Sequence, residues 1–579
     1  MKLIEALQII GKAQAAGGPT FRVCLVSGFT PLHLQTFLAA ELRRKLLGHR
    51  IEMETGLFND FWGNLNRCAA STVDATLIFL EWSDLDPRLG LRSLGQWGPS
   101  VLPEIARNVR TRAAQMGEAL RKLSPNALCA ISFPTLPLLP LSFSPTAQAS
   151  TFELELRNCL AALSHDASQM ANVRVLNAGT LDWISPPHAR LDAKSEVSTG
   201  FPYKLGHASV LAKQMVRLVV PDSPKKGLIT DLDDTLWGGI LGEVGVHKVY
   251  WDLDNHCQLH GLYQRLLDAF SASGVLIAAA SKNDDKLVDE ALGRTDLVVP
   301  RVALFPVEAN WGPKSVSVRK ILKVWNIGAD AVVFVDDSPA ELAEVKAKHP
   351  DLECLLFPKD DPEALVALLY QLRDLFGKSR ISEEDGIRRE SIRRNAQEPQ
   401  PATDQDGNLD EFLSNAEAEL SLNYAKEPPD PRAFELVNKT NQFNLNGRRF
   451  TDSAWRTYLA EQHSFLTVAA YQDKFGPLGK IAVLAGRKSG ATLFLDIWVM
   501  SCRAFSRRIE HRCIEELFRF HQADEIVFDF LETSKNGPLR QFLEQSLHLE
   551  PTPGCRLSRE QFLAVQEKSF HRVLEISNG

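Results

Sequence analysis

Short apolar runs alternate with segments of helical periodicity over most of the chain. In about residues 1–220, the runs 22–26, 75–80, 127–133 and 173–176 are predicted to be buried strands. Helical stretches lie between them. Alternation of this kind is typical of a parallel α/β sheet, so we expect one in this first block.

A second alternation covers about residues 221–375. Its predicted strands lie at 228–229, 275–280, 298–304, 331–335 and 354–357. Helical patterns again separate them. This block is therefore predicted to be a second, doubly wound α/β unit.

A third block covers about residues 411–579. Its predicted strands lie at 465–471, 480–485, 492–499 and 525–530, with helices from about 507 to 521 and from about 538. The polar segment 376–410 before it is predicted to be a linker. A chain of 579 residues is too long for one hydrophobic core, so we expect separate domains at 1–220, 221–375 and 411–579.

The first residues predict an amphipathic helix. Apolar residues from Leu3 to Ile10 have helical spacing, and Glu5 and Lys12 interrupt the unbroken apolar run that a secretory signal needs. No stretch is apolar for long enough to span a bilayer. Nine cysteines without metal-like spacing favour a reducing compartment, so we expect a cytoplasmic protein.

The charge balance disfavours nucleic acid as a partner. Lys and Arg number 65 and Asp and Glu 72, which gives a formal net charge of −7. A general nucleic-acid binder needs a basic face to meet phosphates. We expect neither a nucleic acid nor a membrane among the partners.

The strongest chemical signal is the segment KGLITDLDDTLWGG at 226–239. Asp231 and Asp233 follow a predicted strand, and the carboxyl ends of parallel strands face the ligand crevice. Two close carboxylates repel each other unless a cation lies between them, and Mg²⁺ prefers such oxygen ligands. One carboxylate can then attack phosphorus while the other acts as general acid and base.

Further polar residues follow later strands or lie in loops. Ser281 ends VLIAAAS, Lys314 lies in NWGPKS, and Asp336 and Asp337 end AVVFVDDSP. They can donate to a phosphate oxygen, neutralise charge and complete a metal site. Ordinary turn carboxylates are the simpler interpretation of either acidic pair alone, but all the motifs together favour phosphoryl transfer.

This order of motifs, DxDxT, Ser, Lys and DD, resembles the haloacid dehalogenase superfamily. The resemblance implies that Asp231 is the nucleophile and Asp233 the acid/base. It implies a Mg²⁺ ion held by Asp231, the Asp233 carbonyl and Asp336, with Asp337 helping. The interval between Asp231 and Ser281 is too short for a large cap domain. We expect an open site that admits a bulky substrate, or one covered by another domain.

The flanking residues resemble the FkbH-like subfamily, also called subfamily IIIC, more closely. The similar segments are DLDDTLWGGILGEVG, ASKND, NWGPKS and FVDDSPAE. The subfamily typically has Asn where this chain has Asp234. Within these segments the resemblance implies that Thr235, Ser281, Lys282, Asn283 and Lys314 bind the substrate or its phosphate.

The third block resembles the C-terminal domain of FkbH-like proteins, whose fold is similar to the Gcn5-related acyltransferases. The similar segments are LVNKTNQFNLNGRRFT, DKFGPLGKIAV, SCRAFSRRIE and ETSKNGPLR. In those acyltransferases a glycine-rich turn and a helix N-terminus bind the coenzyme A pyrophosphate. Ser506 and Arg508 replace glycines here and disfavour that mode of binding. The arginines can still meet a phosphate or phosphopantetheine.

FkbH-like enzymes include glyceryl transferase/phosphatases. These take the glyceryl unit of 1,3-bisphosphoglycerate, hold it as a thioester, pass it to an acyl carrier protein and remove the remaining phosphate. The resemblance implies the same chemistry here, with Cys502 as the thiol. Arg503 and a helix N-terminus would lower its pKa. The alternative is a small buried cysteine at a strand end.

A polar cluster in the same block is predicted to recognise the phosphorylated acyl group. Its candidate ligands are Asn441, Arg448, Lys535 and Asn536, and the alternative is a loop that caps a helix end. His511 could assist Cys502, although a lone helix histidine is more often structural.

The first block resembles the N-terminal domain of long FkbH-like proteins, which is related to the SGNH-hydrolase fold. The similar segments are LVSGFT, LEWSDLDPRLGLR and FPYKLGH. Ser27 stands at the position of that fold's nucleophile. No DxxH motif follows, and only His188 and His207 are candidates for the base. We therefore expect a non-hydrolytic role, such as docking a carrier protein or covering the open site.

Together these resemblances imply an α/β multidomain protein: an SGNH/flavodoxin-like parallel sheet, a capless Rossmann-like haloacid dehalogenase domain and an acyltransferase-like mixed α/β domain. They imply a bifunctional glyceryl transferase/phosphatase of polyketide-type metabolism. One alternative is a Mg²⁺-dependent phosphatase or phosphotransferase whose C-terminal domain only binds substrate or acylates a different acceptor. Another is a carrier-protein-binding scaffold with a decayed site, which the complete motif set disfavours.

Overall fold

The chain forms two compact units. A computed structural model describes residues 1–12, 19–94, 98–125, 127–140, 143–145, 147–378, 410, 413–474, 476–501, 504–505, 507–533 and 535–576. The first unit comprises Met1–Asp222 with Thr451–Ala454, and the second Ser223–Phe450 with Trp455–Gly579. Nearly all of the predicted linker at 376–410 lies outside the described residues.

The first unit is built on a parallel five-stranded sheet of order β2-β1-β3-β4-β5. Its strands are β1 Thr20–Ser27, β2 Arg50–Thr55, β3 Ala75–Phe79, β4 Leu128–Ser132 and β5 Val173–Val175. Its helices are α1 Leu3–Lys12, α2 Leu32–Lys45, α3 Phe61–Ala70, α4 Trp82–Leu85, α5 Leu102–Leu123, α6 Thr151–Ser168, α7 Ala178–Ile184, α8 Ala193–Thr199 and α9 Leu205–Val219.

Both faces of this sheet are buried. Leu77 and Phe79 of β3 belong to an apolar cluster on one face, and Ile78 and Leu80 to a cluster on the other. Strand side chains alternate between faces, so a sheet covered on both sides has nearly continuous apolar strands. This explains why four of the five strands were recognisable as apolar runs.

Cys24 of β1 and Cys68 of α3 form a disulfide, with their Cα atoms 6.0 Å apart. The sequence analysis predicted a reducing compartment from the dispersed cysteines, and it did not predict this pair. Proximity of the pair depends on packing of α3 against β1, which spacing along the chain does not reveal. The other described cysteines are free: Cys129, Cys159, Cys257, Cys354, Cys513 and Cys555.

The second unit begins with another parallel sheet, of order β10-β9-β6-β7-β8. Its strands are β6 Gly227–Thr230, β7 Leu276–Ser281, β8 Leu304–Ala309, β9 Val332–Asp336 and β10 Glu353–Leu356. Its helices are α10 Leu241–Val244, α11 Gln258–Ala272, α12 Asp285–Leu292, α13 Lys314–Trp325, α14 Pro339–Lys348 and α15 Pro362–Phe376. Only α10, a 3₁₀ turn and α11 separate β6 from β7, so no large cap is inserted there.

The strand predicted at 298–304 is misplaced. Residues Arg301–Ala303 form a 3₁₀ turn, and β8 begins only at Leu304. Val299 and Ala303 are buried, so the apolar run before the strand fills the core without pairing in the sheet. β8 contains Pro306 and pairs only with β7, as an edge strand can.

The second unit ends with a mixed eight-stranded sheet of order β17-β16-β15-β14-β13-β11-β18, with β12 paired to β15. Its strands are β11 Glu419–Asn423, β12 Phe443–Asn444, β13 Ser464–Asp473, β14 Gly476–Ser489, β15 Thr492–Met500, β16 Glu525–Phe528, β17 Cys555–Ser558 and β18 Arg572–Ile576. Its helices are α16 Pro431–Lys439, α17 Asp452–Ala460, α18 Ile509–His521, α19 Gly537–Gln541 and α20 Arg559–Val565.

Strands β13, β14 and β15 are antiparallel, and β15 pairs in parallel with β16 across the connecting helix α18. The predicted class, a multidomain α/β protein with parallel sheets and a mixed sheet, is confirmed. Among the helices of the described ranges, none combines the length and the apolar character that crossing a bilayer requires.

Candidate active site

The predicted acidic motifs meet at the carboxyl edge of the parallel sheet in the second unit. Asp231 follows β6 directly and Asp336 ends β9, and the Asp231 N–H donates to the Val335 carbonyl at 2.9 Å. Asp231, Asp336 and Asp337 each offer one carboxylate oxygen within 4.8 Å of the other two. Three hard oxygen donors at this separation suit a divalent cation such as Mg²⁺ or Ca²⁺.

Lys314 joins two of these carboxylates. Its Nζ lies 2.9 Å from Asp231 Oδ1 and 2.6 Å from Asp336 Oδ2, and the residue is only 4% exposed. Burial works to lower the pKa of Lys314, but the charges of Asp231 and Asp336 outweigh it and raise that pKa. The lysine is therefore a fixed positive charge beside both carboxylates.

The negative charges of Asp231 and Asp336 are only partly neutralised by the protein. Burial raises the pKa of Asp231, against the opposing effect of Lys314, and burial also raises the pKa of Asp336. One ammonium group does not offset the cost of burying the acidic cluster. A cation bound to it would keep the carboxylates ionised, so the donor set fits a metal ion.

Asp233 is held separately from this group of three. Its Oδ1 accepts hydrogen bonds from Trp237 Nε1 at 3.0 Å and the Leu241 N–H at 3.1 Å. Its Oδ2 accepts one from Asn283 Nδ2 at 2.9 Å, and the same amide donates to Ser281 Oγ at 3.1 Å. Asp233 is thus oriented by several donors, next to two of the predicted phosphate ligands.

Lys359 belongs to the site, and the sequence analysis missed it. Its Nζ lies 2.7 Å from Asp234 Oδ2 and 2.9 Å from Asp337 Oδ2. Burial alone would raise the pKa of Asp234, but the contact with Lys359 lowers it. The residue follows β10 at the same carboxyl edge, and that position after a strand was the available signal.

Glu344 of α14 is a second missed residue. Its carboxylate accepts hydrogen bonds from the Ser315 N–H at 3.0 Å and from the Ser315 hydroxyl. These bonds satisfy the N-terminus of α13, whose first residue is Lys314. Glu344 therefore fixes the helix that positions the lysine.

Two other predicted ligands use partners within the chain. Thr235 is fully buried, and its carbonyl lies 3.0 Å from His260 Nδ1. Lys282 Nζ donates to Glu341 Oε1 at 2.5 Å. Their contact with a substrate stays a prediction.

The predicted thiol region is only partly described. Cys502, Arg503 and Ser506 lie outside the described residues. Arg508 adopts a left-handed conformation, with φ 57°, at the N-cap of α18. Its guanidinium lies 2.7 Å from Asp410 and 2.5 Å from Glu567, so its charge is paired with carboxylates of this chain.

The polar cluster of the third block makes contacts within the chain. The Asn441 side-chain oxygen accepts a hydrogen bond from Arg449 at 2.7 Å. Arg448 forms an ion pair with Asp529 at 2.7 Å, and Lys535 forms one with Asp330 at 2.5 Å. The buried Asn536 amide donates to the carbonyls of Asn444 and Leu531, at 3.1 and 2.9 Å. Each of the four predicted ligands thus has a partner within the chain. Recognition of an acyl group by these residues stays a prediction.

His511 of α18 is buried, and neither of its ring nitrogens has a hydrogen-bond partner among the described residues. Its ring packs edge-on against Phe542, with 5.0 Å between centroids. Burial lowers the pKa of His511, which favours the neutral imidazole.

The hydrolase-like residues of the first unit are bonded to other groups. Ser27 Oγ donates to a main-chain carbonyl two residues further on, at 3.0 Å. His207 Nδ1 lies 2.9 Å from Ser185 Oγ, and its Nε2 lies 3.2 Å from Thr135 Oγ1. His188 is exposed in a 3₁₀ turn. These contacts show no Ser27–His pair in the described part of this unit.

No protein-family model matches the chain, and no curated protein matches it in sequence. Among solved structures, it is similar to the crystal structure of the N-terminal part of the protein BF1531 from Bacteroides fragilis, which contains a phosphatase domain and is complexed with Mg. The similarity covers 66% of this chain and 100% of that chain, with 20% sequence identity and a TM-score of 0.53. At this identity the likeness establishes the fold alone: about two thirds of the chain shares its architecture with the N-terminal part of a protein, a part that contains a phosphatase domain.

Proposed function

We propose that the chain is a Mg²⁺-dependent phosphatase or phosphotransferase with Asp231 as nucleophile. The observation that supports this most directly is Lys314, which lies within ion-pair distance of both Asp231 and Asp336. Asp337 completes a group of three carboxylates able to hold a metal. The structural neighbour also contains a phosphatase domain complexed with Mg.

The geometry suggests a division of roles. Mg²⁺ would be held by Asp231, Asp336 and Asp337, with the predicted Asp233 carbonyl, and would neutralise charge on the phosphoryl oxygens. A carboxylate oxygen of Asp231 attacks phosphorus, and the bond between phosphorus and the ester oxygen breaks. Asp233 gives its proton to the departing oxygen. It then takes a proton from the water that hydrolyses the aspartyl-phosphate. Lys314 balances charge on Asp231 throughout.

Phosphate release from p-nitrophenyl phosphate with and without Mg²⁺ tests this proposal. Asp231→Asn removes the nucleophile and should lower kcat by about a thousandfold or more. Asp254→Asn changes an exposed carboxyl of the same domain and should leave kcat unchanged. Full activity of the Asp231→Asn protein, or activity that persists in EDTA, would refute the assignment.

We further propose that the same chain transfers an acyl unit. The Cys502 thiolate would attack the acyl carbon of an acyl phosphate such as 1,3-bisphosphoglycerate and release phosphate. The resulting thioester would pass to the phosphopantetheine thiol of an acyl carrier protein, and the phosphatase centre would hydrolyse the remaining phosphomonoester. The sequence resemblance supports this step. Helix α18 also supports it, because it begins seven residues after Cys502 and carries His511, whose ring nitrogens have no hydrogen-bond partner in the described part of the chain.

The position of Lys535 favours a carried substrate. Lys535 contacts Asp330, just before the amino end of β9, whereas Asp336 ends the same strand. At about 3.3 Å per residue, a five-residue strand spans roughly 16 Å. A substrate held near Lys535 would need to travel to the acidic cluster, which a long flexible arm allows.

Intact-protein mass spectrometry separates this proposal from its alternative. The Asp231→Asn protein, incubated with enzymatically generated 1,3-bisphosphoglycerate, should gain a phosphoglyceryl mass that hydroxylamine removes. The Asp231→Asn, Cys502→Ala protein should gain none. If neither protein gains mass, the C-terminal sheet is better assigned to substrate binding, and the phosphatase proposal is unaffected.

A further inference from the structure

Two apolar side chains stand in solvent beside the proposed active site. Trp311, in the loop between β8 and α13, is 75% exposed, and Ile240, at the N-cap of α10, is 43% exposed. The other tryptophans described in this sheet domain, Trp237, Trp251 and Trp325, are buried. An apolar contact with a ligand would recover the free energy that this indole surface forfeits in water.

The loop that contains Trp311 is fixed at several points. The Asn310 N–H donates to the Ser281 carbonyl at 3.1 Å. Asn310 Nδ2 donates to Ser317 Oγ at 3.1 Å, and Asn310 Oδ1 accepts from the Gly312 N–H at 3.0 Å. Trp311 is thus held one residue from the contact with Ser281 and three residues before Lys314.

Ile240 is held equally close to the proposed acid/base. The next N–H in the chain, that of Leu241, donates to Asp233 Oδ1 at 3.1 Å. Asn283 Nδ2 connects Asp233 Oδ2 to Ser281 Oγ, with distances of 2.9 and 3.1 Å. A short run of hydrogen-bonded residues therefore joins the positions of Ile240 and Trp311, with Asp233 between them.

The roles proposed for Asp231 and Asp233 indicate where the leaving group of the substrate lies. Asp233 must reach the ester oxygen to protonate it, so the leaving group lies on the Asp233 side, and the phosphoryl oxygens lie toward Lys314 and the metal ligands. We propose that Trp311 and Ile240 contact this leaving group. They thereby select phosphomonoesters that present an aromatic or aliphatic face next to the ester oxygen. The inference rests on the proposed phosphatase function and adds the class of substrate. It is independent of the acyl-transfer proposal, whose phosphoglyceryl substrate has a hydroxylated leaving group.

Steady-state kinetics with two substrates test the selection. For Trp311→Ala, kcat/KM for phenyl phosphate should fall about tenfold, and kcat/KM for glycerol 3-phosphate should change less than twofold. Ile240→Ala should shift the same ratio in the same direction. Val302→Ala is the matched control, because Val302 is 65% exposed but precedes β8 at the opposite edge of the sheet. An equal fall for both substrates, or no fall for phenyl phosphate, would overturn the proposal.

Binding without turnover keeps this test separate from the phosphatase proposal. Isothermal titration of the full chain with Mg²⁺ and either benzylphosphonate or methylphosphonate should show tighter binding of the benzyl compound. Trp311→Ala should remove most of that difference. If the wild type hydrolyses no phosphomonoester yet shows this preference, the reaction assignment fails and the apolar contact stands. Equal binding of the two phosphonates, or binding of neither, would overturn the contact itself.

Discussion

At the scale of single residues, the candidate site contains more carboxylates than ammonium groups, so each lysine matters for its charge balance. Replacing Lys314 with Met leaves Asp231 and Asp336 without their shared ammonium group. We expect phosphate release to fall by about 10² to 10³-fold, because the lysine balances charge on the nucleophile in the transition state. Lys320→Met, on the exposed side of the same helix α13, is the control and should keep full activity. Activity within threefold of wild type for Lys314→Met would contradict the role given to the lysine.

Lys359 permits a prediction about metal affinity instead of rate. It pairs with Asp337, a candidate metal ligand, and with Asp234, and it is 37% exposed at the side chain. Removing its charge by Lys359→Met makes the acidic cluster more negative, so Mg²⁺ should bind about threefold more tightly. Calorimetric titration with Mg²⁺ measures this, with exposed Lys323→Met as control. Weaker binding in Lys359→Met would mean that the lysine is needed to hold Asp337 in place.

The sequence was informative about residues whose position follows from one strand end. Asp231, Ser281 and Asp336 each end or follow an apolar run, and parallel strands bring their carboxyl ends to one edge. Lys359 also follows a strand end, but its role, like that of Glu344, depends on which side chain it meets across the fold, and neither residue was predicted. The sequence around a lysine in FPKDDP, or around a glutamate inside a helix, does not indicate which side chain it will contact.

At the scale of elements, α13 delivers Lys314, and Glu344 secures the N-terminus of that helix. Glu344→Ala leaves the Ser315 N–H without its acceptor, which should cost about 1–2 kcal/mol of stability. Because Lys314 is the first residue of the helix, kcat should also fall, by about tenfold, while KM changes little. Thermal unfolding and steady-state kinetics of the variant measure both effects.

The control for this prediction is Glu290→Ala, which removes an exposed carboxylate from α12. It should change neither the melting temperature nor kcat. A Glu344→Ala protein that is destabilised but has wild-type kcat would show that the cap serves stability alone.

Elements differed in how well the sequence predicted them, according to burial. Central strands such as β3 and β7 are buried on both faces and were found as apolar runs. The edge strand β2 alternates apolar residues with Glu52 and Glu54, is largely exposed, and was missed. The edge strand β8 was misplaced, because the apolar run before it is buried for packing and not for pairing. Apolar content reports burial directly and strand pairing only indirectly.

At the scale of the whole molecule, the carboxyl edges of the two parallel sheets carry different side chains in the two units. In the second unit this edge presents the acidic cluster. In the first unit it is filled by a buried polar network around Glu81, whose carboxylate accepts from Thr135 Oγ1 and from Tyr203 OH, each at 2.7 Å. Thr135 contacts His207, and His207 contacts Ser185. The ligand crevice that such an edge usually offers is occupied by the unit's own side chains.

This network makes the first unit sensitive to acid through His207. Burial lowers the pKa of His207 to about 3, whereas in the unfolded chain it is about 6.5. Between these values the unfolded state binds a proton that the folded state excludes, so the free energy of unfolding falls as the pH falls from about 6.5 toward 3. At pH 5 the loss should be about 2 kcal/mol relative to pH 7.5.

His207→Gln removes this titration. At pH 7.5 the variant should have a lower free energy of unfolding than wild type, because it loses the hydrogen bonds of His207. At pH 5 this difference in free energy of unfolding, the gap, should be nearly zero. Hydrogen–deuterium exchange of peptides from α9, compared between the two full-length proteins at the same pH, measures the gap without interference from intrinsic exchange rates. His165→Gln changes an exposed histidine of the same unit and should track wild type at both pH values. A gap that stays constant between pH 7.5 and 5 would mean that His207 has the same pKa in the folded and the unfolded chain, because only a group with unequal pKa values in the two states makes stability depend on pH.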